Sequence, residues 1–447
     1  MSLLAKRSAK FYDDWEVTSP SDREKHQTAK LAEILEHAKR FEFYKGRLDS
    51  VDLKSPHPLV EVPILTPEQF RGNLPPFGTG LVSPEAKDYT VFQSGGSTGV
   101  PKTTLFSHEE LEWLNLGNAR GFFAVGLDEK DKVANLWAVG SLYMTFVHIN
   151  RMLQQYGCVN FPFSNHTDLE FIHGVVKAFG VNCLTGIASS TLNVVRYMHA
   201  SGSKNLHIPK IYYGGEHFYE ADKIEIKEKV GAEIIMAPGY GTVDTWYLGY
   251  QCLNCETGVF HAHDDQVHLE IVDEATGKHC DSGEIGMLYA TPYLRKVTPI
   301  IRYRVGDRAR WIESACPCGR TTPTFKLLGR GDDVLRIGYD SVDYGAVQSV
   351  VTEVKGLSGS IQMEKIRDEG RDLLVVRVES DLTGEASKVA SEELARLILD
   401  NRPSLREFIE KGTVWPLKVE VVAPGSLPRN SRTGKLRRVI DAIKDDA

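Results

Sequence analysis

The chain has 447 residues, more than one hydrophobic core usually organises, so its length predicts two domains of unequal size. Its 53 Lys and Arg against 60 Asp and Glu give a formal charge of -7, which argues against a nucleic-acid partner. No run approaches the roughly 18 apolar residues of a membrane span, so no membrane partner is expected. Charged residues follow directly after residues 1–5, which leaves no apolar stretch for a secretory signal, and the expected location is the cytoplasm.

The first part of the chain has the pattern of an α/β domain. Residues 28–44 carry apolar side chains at helical spacing and end in an aromatic cluster, which predicts an amphipathic helix docked on a core. From about 88 to 300, short apolar segments alternate with longer helical patterns, of which 217–229 is an example. Such alternation is typical of α/β layering. We therefore expect a large N-terminal α/β domain of layered sheets and helices over residues 1–329.

The second part begins at residues 329–333, where the sequence pattern changes to a tight polar turn. A strand is predicted at 373–378, a helix at about 385–400 and a further strand at 417–422. The apolar face predicted for that helix consists of Val389, Leu394, Leu397 and Ile398. These elements predict a small C-terminal α+β domain, residues 330–447, joined to the large domain by a hinge.

A glycine-rich loop follows the apolar segment 89–92. Its sequence is Ser94-Gly95-Gly96-Ser97-Thr98-Gly99-Val100-Pro101-Lys102. The glycines let backbone N–H groups surround an anion, the hydroxyls add donors or a metal contact, and the lysine supplies charge. The loop differs from a Walker A loop because no Gly-Lys-Ser/Thr follows at the required spacing. Alone, it could also be a flexible surface turn.

Five further segments follow the loop in the sequence. They are Gly214-Gly215-Glu216, Gly239-Tyr240-Gly241-Thr242-Val243-Asp244, Arg302-Tyr303-Arg304-Val305-Gly306-Asp307, Gly329-Arg330-Gly331-Asp332-Asp333, and the segment 424–435, which ends in Gly434-Lys435. Together with the loop, and in this order, they resemble the adenylate-forming superfamily of acyl-CoA synthetases, peptide-synthetase adenylation domains and luciferases. Within it, the best resemblance is to the phenylacetate-coenzyme A ligase family, and it runs almost from end to end.

The resemblance implies roles for individual residues. Tyr240 would lie against adenine, Asp307 would bind the ribose hydroxyls, and Thr98 and Asp244 would hold Mg²⁺. Lys435 would be the catalytic lysine, with Asp244 and Thr98 as the other catalytic residues. The remaining nucleotide-binding residues implied are Ser94, Gly95, Gly96, Ser97, Gly99, Lys102, Gly215, Glu216, Gly241, Thr242, Arg330 and Asp332, the last being the hinge pivot. Two positions depart from the family pattern, since Val243 replaces a hydroxyl residue and Asp244 replaces a glutamate.

The reaction implied is the ATP-dependent activation of a carboxylic acid, an aromatic one by the resemblance, followed by transfer to coenzyme A. The acceptor could instead be an amine, a carrier protein or a reductase. The departures at Val243 and Asp244 leave open a catalytically silent nucleotide-binding protein, and a homodimer is also left open. In the region where the family builds its acid pocket, this sequence has Trp137, Val139, Gly140, Leu142 and Tyr143, each of which could equally be an ordinary core residue.

The cysteines form a separate cluster. Cys252 and Cys255 make one short pair, Cys316 and Cys318 another, and His261 follows the first pair. Short pairs of this kind suit tetrahedral zinc, although these are farther apart than in an ordinary zinc ribbon, and free structural thiols are the alternative. The family resemblance favours Cys255, Cys316 and Cys318, with either His261 or Cys252 as fourth ligand. Four protein ligands would make the site structural; a zinc-dependent regulatory scaffold is the remaining alternative.

Overall fold

The computed structural model describes residues 8–49, 51–55, 57–94, 102–202, 206–215, 218, 220–331, 333–337, 340–357, 360–368, 371–430 and 434–441. These residues form two compact units. The larger unit holds the described residues up to 328 apart from those within 216–228, and the smaller unit holds these and the described residues from 329 onward. The domain boundary between residues 329 and 330 stays a prediction.

The helices, in chain order, are α1 Pro20–Ala38, α2 Pro67–Gly72, α3 His108–Ala124, α4 Thr145–Tyr156, α5 Leu169–Phe179, α6 Ala188–Ala200, α7 Glu220–Val230, α8 Tyr344–Val351, α9 Gly384–Asp400 and α10 Pro403–Glu410. The strands are β1 Tyr89–Gln93, β2 Thr103–Ser107, β3 Lys132–Leu136, β4 Val159–Pro162, β5 Cys183–Ile187, β6 Lys210–Gly214, β7 Ile234–Met236, β8 Tyr240–Thr242, β9 Trp246–Tyr250, β10 Val259–Ala262, β11 Val267–Val272, β12 Gly286–Pro292, β13 Tyr303–Ile312, β14 Thr324–Arg330, β15 Val334–Ile337, β16 Asp340–Asp343, β17 Ile361–Asp368, β18 Arg371–Glu379, β19 Lys418–Val422 and β20 Val439–Asp441.

A parallel sheet forms one layer of the larger unit. Its strands lie in the order β4-β3-β5-β6-β7, and successive strands are joined through α4, α5, α6 and α7. Gly157 directly follows α4 and Gly180 directly follows α5; both have positive φ, the usual conformation for ending a helix. A core beside this sheet contains Val133, Ile149 and Tyr212, all fully buried. The predicted α/β class is therefore confirmed.

A second sheet of the larger unit is antiparallel wherever its strand pairs are defined, and its strands lie in the order β11-β12-β13-β14-β10-β9-β8. The expectation that helices alternate with strands as far as residue 300 is wrong, because residues 231–331 are all described and contain no helix. Antiparallel strands need only short turns between them, so no crossover helix is required here. A separate hairpin, β1–β2, pairs Tyr89 with Ser107 and Gln93 with Thr103.

The smaller unit is α+β. Its main sheet has the order β19-β18-β17-β20, with β17 and β18 antiparallel, and its core includes Ala390, Leu394 and Ile398 of α9. Val389, expected on the buried face of this helix, is 53% exposed. Residues 390, 394 and 398 are spaced by four, so they form one stripe, and Val389 lies beside that stripe facing solvent.

Helix α1 begins earlier than the apolar pattern indicated. Ser19 caps it by accepting a hydrogen bond from Asp22 N–H, and Pro20 occupies the first turn, where its missing N–H costs nothing. The apolar residues Leu31, Ile34 and Leu35 are buried as expected. Among the described residues, none of the helices combines the length and apolar character needed to cross a bilayer.

Candidate functional site

The two ends of the glycine-rich loop lie side by side at the tip of the β1–β2 hairpin. Ser94 N–H donates to Lys102 O at 2.9 Å, and Lys102 N–H donates to Ser94 Oγ at 2.9 Å. The backbone of Lys102 is therefore held in place at the base of the loop. Gly95, Gly96, Ser97, Thr98 and Gly99 lie outside the described residues.

Three motifs far apart in the sequence meet at Asp244. Lys102 Nζ forms an ion pair with Asp244 Oδ2, and Tyr303 OH donates to the same oxygen at 2.7 Å. Lys102 Nζ also donates to Tyr303 OH at 2.6 Å. The Asp244 side chain is 2% exposed and that of Lys102 is 23% exposed. We call Lys102, Asp244 and Tyr303 the Asp244 cluster.

The other carboxylate oxygen, Asp244 Oδ1, is buried and has no hydrogen-bond partner among the described residues. A second buried cation lies nearby, since the Arg295 guanidinium interacts electrostatically with Asp244 while donating to Leu105 O and Thr104 Oγ1, each at 2.7 Å. Burial lowers the pKa of Arg295 to about 10. A buried carboxylate oxygen with an unused lone pair is the kind of hard oxygen ligand that a divalent cation takes.

Tyr303 was given no role from the sequence, although it lies between the two arginines of its motif. Its hydroxyl joins Lys102 to Asp244, a contact that only the packing of β13 against the other elements reveals. The preceding residue, Arg302, has a φ of 49°, and Trp246, two residues after Asp244, has a φ of 66°. Positive φ at non-glycine residues often accompanies functional sites, where the surrounding structure holds the strained backbone.

The expected adenine and ribose residues lie against each other. Tyr240 OH donates to Asp307 Oδ2 at 2.6 Å, and the Tyr240 ring packs against Phe260 and Phe325 at centroid distances of 5.5 and 5.9 Å. Asp307 is half-buried on β13. This arrangement presents an aromatic face beside a carboxylate, which suits a nucleoside's base and ribose hydroxyls.

Close packing requires glycine at two positions around this site. A Cβ at Gly241 would lie 2.1 Å from Trp246 O, and one at Gly214 would lie 2.8 Å from the Trp137 ring. Gly215 has a φ of 74° and turns the chain after β6. Thr242 uses its Oγ1 within the β8–β9 turn, 2.9 Å from Thr245 Oγ1. Glu216 lies outside the described residues.

The residues expected to form an acid pocket divide into two groups. Trp137 and Tyr143 are buried in the core beside the parallel sheet, and Trp137 Nε1–H donates to Thr185 Oγ1 at 3.0 Å. Val139 and Leu142 are 37% and 49% exposed. Gly140 and Leu142 have positive φ, and Leu142 O accepts from Gln93 N–H, next to the glycine-rich loop. This turn thus places apolar side chains near the loop base.

Arg330 and Lys435 belong to the smaller unit. Arg330 is the last residue of β14. Lys435 O accepts a hydrogen bond from Asn430 N–H at 2.7 Å, which closes a turn before β20. Asp332 lies outside the described residues.

The five predicted zinc ligands come together in the larger unit. The ligand atoms of Cys252, Cys255, His261 and Cys316 all lie within 4.8 Å of one another. Cys252 Sγ is 3.5 Å from Cys255 Sγ and 3.6 Å from Cys316 Sγ, and Cys318 Sγ is 3.5 Å from His261 Nε2. Thiolates on one tetrahedral zinc lie about 3.8 Å apart, given Zn–S bonds of about 2.3 Å. The cluster therefore fits a closed zinc site that uses four of these five residues; we call the five the cysteine cluster.

Hydrogen bonds around the cysteine cluster orient its ligands. His261 Nδ1 lies 2.9 Å from Thr322 Oγ1, which directs Nε2 toward the thiols. The hydrogen bond with the Cys255 thiol raises the pKa of Cys252 to about 12, and burial raises the pKa of Cys316. Zinc binding would therefore have to displace thiol protons.

A buried ion pair joins the cysteine cluster to an early segment of the chain. Arg320 donates from Nε to Glu16, whose side chain is fully buried, and Arg320 N–H donates to Cys318 Sγ at 3.4 Å. Glu16 also accepts from Tyr12 N–H at 2.5 Å and from Tyr250 OH at 3.3 Å. Every oxygen of this carboxylate is thus hydrogen-bonded.

Comparison with solved structures defines the class of fold. The chain superimposes on 2-hydroxyisobutyryl-CoA ligase in complex with 2-HIB-AMP with a TM-score of 0.80 and 21% identity, covering 97% of this chain and 93% of that one. The protein therefore has the fold of the adenylate-forming enzymes, with a large N-terminal and a small C-terminal part.

Sequence comparison shows which adenylate-forming enzymes the chain resembles. The chain is 25% identical over 427 residues to phenylacetate-coenzyme A ligase of Thermus thermophilus, which covers 91% of this chain and 93% of the relative. It is 23% identical over 321 residues to indoleacetate–lysine synthetase of Pseudomonas savastanoi, covering 69% of this chain and 73% of the relative. No family model matches. The resemblance to the phenylacetate-coenzyme A ligase group is confirmed.

Proposed function

We propose that this protein joins a carboxylic acid to AMP at the expense of ATP and then transfers the acyl group to the thiol of coenzyme A. In the first step, a carboxylate oxygen attacks the α-phosphorus and pyrophosphate leaves. In the second step, the thiol sulfur attacks the acyl carbon, AMP leaves as the anion, and the thiol proton passes to solvent.

The observation that carries this proposal is the Asp244 cluster. It brings a lysine at the base of a phosphate-type loop to a buried carboxylate suited to a cation, and the Tyr240–Asp307 pair supplies groups for a nucleoside. Both reactants of the first step are anions, so catalysis requires mainly charge neutralisation and alignment. These residues provide both functions.

The roles of the individual residues follow from this chemistry. Tyr240 and Asp307 hold the adenosine, Lys102 binds phosphate oxygens, and Lys435 stabilises the charge on the α-phosphoryl group. Mg²⁺, bound by Thr98 and Asp244, would neutralise charge on the phosphates. The acid needs no general base, because a carboxyl group is already ionised at neutral pH.

Coenzyme A is the proposed acceptor, and the acid is proposed to be aromatic. The name of the Thermus thermophilus relative supports both. Apolar side chains near the loop base, with Trp137 beneath Gly214, support a flat apolar acid. An amine acceptor is the second candidate, supported by the name of the Pseudomonas savastanoi relative.

We further propose that the cysteine cluster holds a structural zinc ion and that the protein works in the cytoplasm. The distances among the ligand atoms support zinc. None of the seven cysteines is paired in a disulfide, which supports a reducing compartment. With four protein ligands the zinc would have no open position for substrate, so it would fix the loops that carry the thiols.

The test is a hydroxylamine-trapping assay with a panel of aryl acids, with and without coenzyme A, combined with detection of the thioester. We expect acid-dependent release of pyrophosphate and a thioester only when coenzyme A is present. Lys435→Ala should reduce adenylation roughly 100-fold or more, because a charge aimed at the transition state is lost. Lys411→Ala, which removes a surface lysine paired with Glu407, is the matched control and should retain activity.

Turnover that needs an amine and yields no thioester would favour the second candidate. Unchanged adenylation in Lys435→Ala would exclude that residue from catalysis. The absence of pyrophosphate release with every acid of a broad panel would contradict the proposed function.

A further inference from the structure

The carboxylate expected to hold the divalent cation is already paired with a cation of the chain itself. Lys102 Nζ forms an ion pair with Asp244 Oδ2, and the Asp244 side chain is 2% exposed. Because Asp244 Oδ1 is also buried, neither oxygen offers surface to an ion arriving from solvent. Among the described residues, Lys102 is the cation that pairs with Asp244, so a divalent cation that replaces it at this carboxylate requires the Lys102 side chain to move away.

We propose that Lys102 is a stand-in cation, which caps Asp244 in the nucleotide-free protein and leaves it for the phosphates of ATP, so that the divalent cation binds Asp244 only together with nucleotide. This inference rests on the proposed function in one respect, namely that ATP is the ligand.

The geometry of Lys102 suits such an exchange. Its backbone N–H and C=O are both hydrogen-bonded to Ser94, so the main chain stays in place while the side chain turns. A lysine ammonium is a compact charge on a flexible four-carbon stem and can pass from one acceptor to another without a fixed fork geometry. Its 23% exposure shows that one side of the Lys102 side chain already faces solvent.

Electrostatic repulsion prevents Lys102 and a divalent cation from binding Asp244 at the same time. Lys102 and a divalent cation bound to the same buried carboxylate would repel each other strongly at a separation of a few ångströms. With neither Lys102 nor a divalent cation, Asp244 would keep only its electrostatic interaction with Arg295, which leaves a buried carboxylate poorly compensated. The triphosphate resolves this conflict, because it brings the divalent cation and offers new acceptors to Lys102.

Tyr303 keeps the carboxylate oriented during the exchange. Its hydroxyl donates to Asp244 Oδ2 at 2.7 Å and lies 2.6 Å from Lys102 Nζ. When Lys102 leaves, the hydrogen bond from Tyr303 still holds Oδ2, so that Oδ1 can face the incoming ion. Tyr303 is thus a positioning residue.

The experiment measures Mn²⁺ binding by electron paramagnetic resonance, with and without a non-hydrolysable ATP analogue, on the wild-type protein and Asp244→Asn. No acid or turnover is needed. We expect Asp244-dependent Mn²⁺ binding to the wild type only in the presence of the analogue. Mn²⁺ bound elsewhere, for example to thiols, should still bind to Asp244→Asn. The signal of this variant is therefore subtracted from that of the wild type to give the Mn²⁺ bound at Asp244.

A second arm uses Lys102→Met, which removes the stand-in cation. Asp244-dependent Mn²⁺ binding should then be detected without nucleotide, at an affinity at least about tenfold above the detection limit that the wild type does not reach, a change of at least about 1.4 kcal/mol. The double variant Lys102→Met/Asp244→Asn should lose this binding. Thermal melting of each variant confirms that it is folded.

The outcomes separate the two proposals. If the wild type binds Mn²⁺ at Asp244 without nucleotide, or if a folded Lys102→Met gains no Mn²⁺ affinity, the exchange is refuted while the proposed function stands. If the wild type binds neither the analogue nor its Mn²⁺ complex, both proposals fail.

Discussion

The Asp244 cluster and the cysteine cluster lie in the same unit and both contain buried charged or ionisable groups, but they satisfy those groups differently. Asp244 has one oxygen shared by Lys102 and Tyr303 and another that is hydrogen-bonded to none of the residues the structure describes. Beside the cysteine cluster, Glu16 has both oxygens hydrogen-bonded, to Arg320, Tyr12 N–H and Tyr250. The first arrangement is suited to exchanging partners and the second to keeping them. Substitutions in the cysteine cluster should therefore change stability, and those in the Asp244 cluster should change activity.

The largest expected effect is that of removing zinc from the cysteine cluster. An ion present at a thousand times its dissociation constant stabilises the folded state by about 4 kcal/mol. Stripping the protein with a chelator should lower its melting temperature, and added Zn²⁺ should restore it. Cys255→Ser should show the low melting temperature without any response to Zn²⁺. Equal melting temperatures for treated and untreated protein would contradict a structural metal.

The second effect concerns the ion pair beside that cluster. Arg320→Met leaves the buried Glu16 carboxylate without its cation, and breaking such a pair costs about 3–5 kcal/mol. Chemical denaturation measures the loss. Lys39→Met, which removes the exposed partner of Glu36, is the matched control and should leave the stability within error. If both variants lost equally little free energy of unfolding, the Glu16–Arg320 pair would stabilise the protein no more than a surface ion pair does.

The third effect belongs to the Asp244 cluster. Tyr303→Phe removes one hydrogen bond to a charged group, which is worth about 1.5–3 kcal/mol, so adenylation should slow by roughly 10- to 100-fold. If Tyr303 positions the metal ligand, the loss should be partly recovered at high Mg²⁺ concentration, whereas a general packing defect would not respond. Steady-state rates at several Mg²⁺ concentrations, with melting curves alongside, distinguish the two explanations.

The smallest effect depends on pH and tests a buried residue near the Asp244 cluster. Burial lowers the pKa of His148 to about 3, below the value near 6.5 of an exposed histidine. His148 is therefore neutral in the folded state. Below pH 6.5 the unfolded chain binds a proton that the folded protein does not, so the free energy of unfolding falls as the pH drops from 6.5 toward 3. Each pH unit between 6.5 and 3 should lower the free energy of unfolding by about 1.4 kcal/mol.

His148→Gln should remove this part of the slope. The measurement is chemical denaturation of both proteins between pH 7 and pH 5, where the wild type should lose more stability than the variant. Parallel slopes would mean that His148 does not remain neutral in the folded protein.

The sequence predicted the class of the fold and where its chemically important residues could lie, but not how their charges are paired. The motif at 239–244 pointed to Asp244, yet its partner Lys102 is 142 residues away, and only the folded chain brings them together. Tyr303 was overlooked because a tyrosine between two arginines has no distinctive local pattern. The alternation of strands and helices was extended too far, since the antiparallel strands after Met236 are as short and apolar as those before it.

The segment that contains Glu16 shows a pairing that the sequence did not indicate at all. No motif in the sequence singles out Glu16, and acidic residues are rarely fully buried unless they are paired. Its burial depends on Arg320, which is 304 residues away and cannot be inferred from local periodicity. The cysteines, in contrast, stand in two short pairs, each of which already fixes two thiols close together, and the family resemblance joined the two pairs that the structure brings within 3.6 Å of each other.

The pairing of Glu16 with Arg320 has a consequence for the order of events during synthesis. At about 5–20 residues per second, a ribosome takes roughly 15–60 s to add the residues between them. During that interval the segment containing Glu16 waits without its partner, while the parallel sheet emerges completely. The Glu16 carboxylate therefore gains its cation only after the loop that carries Cys316 and Cys318 has been made.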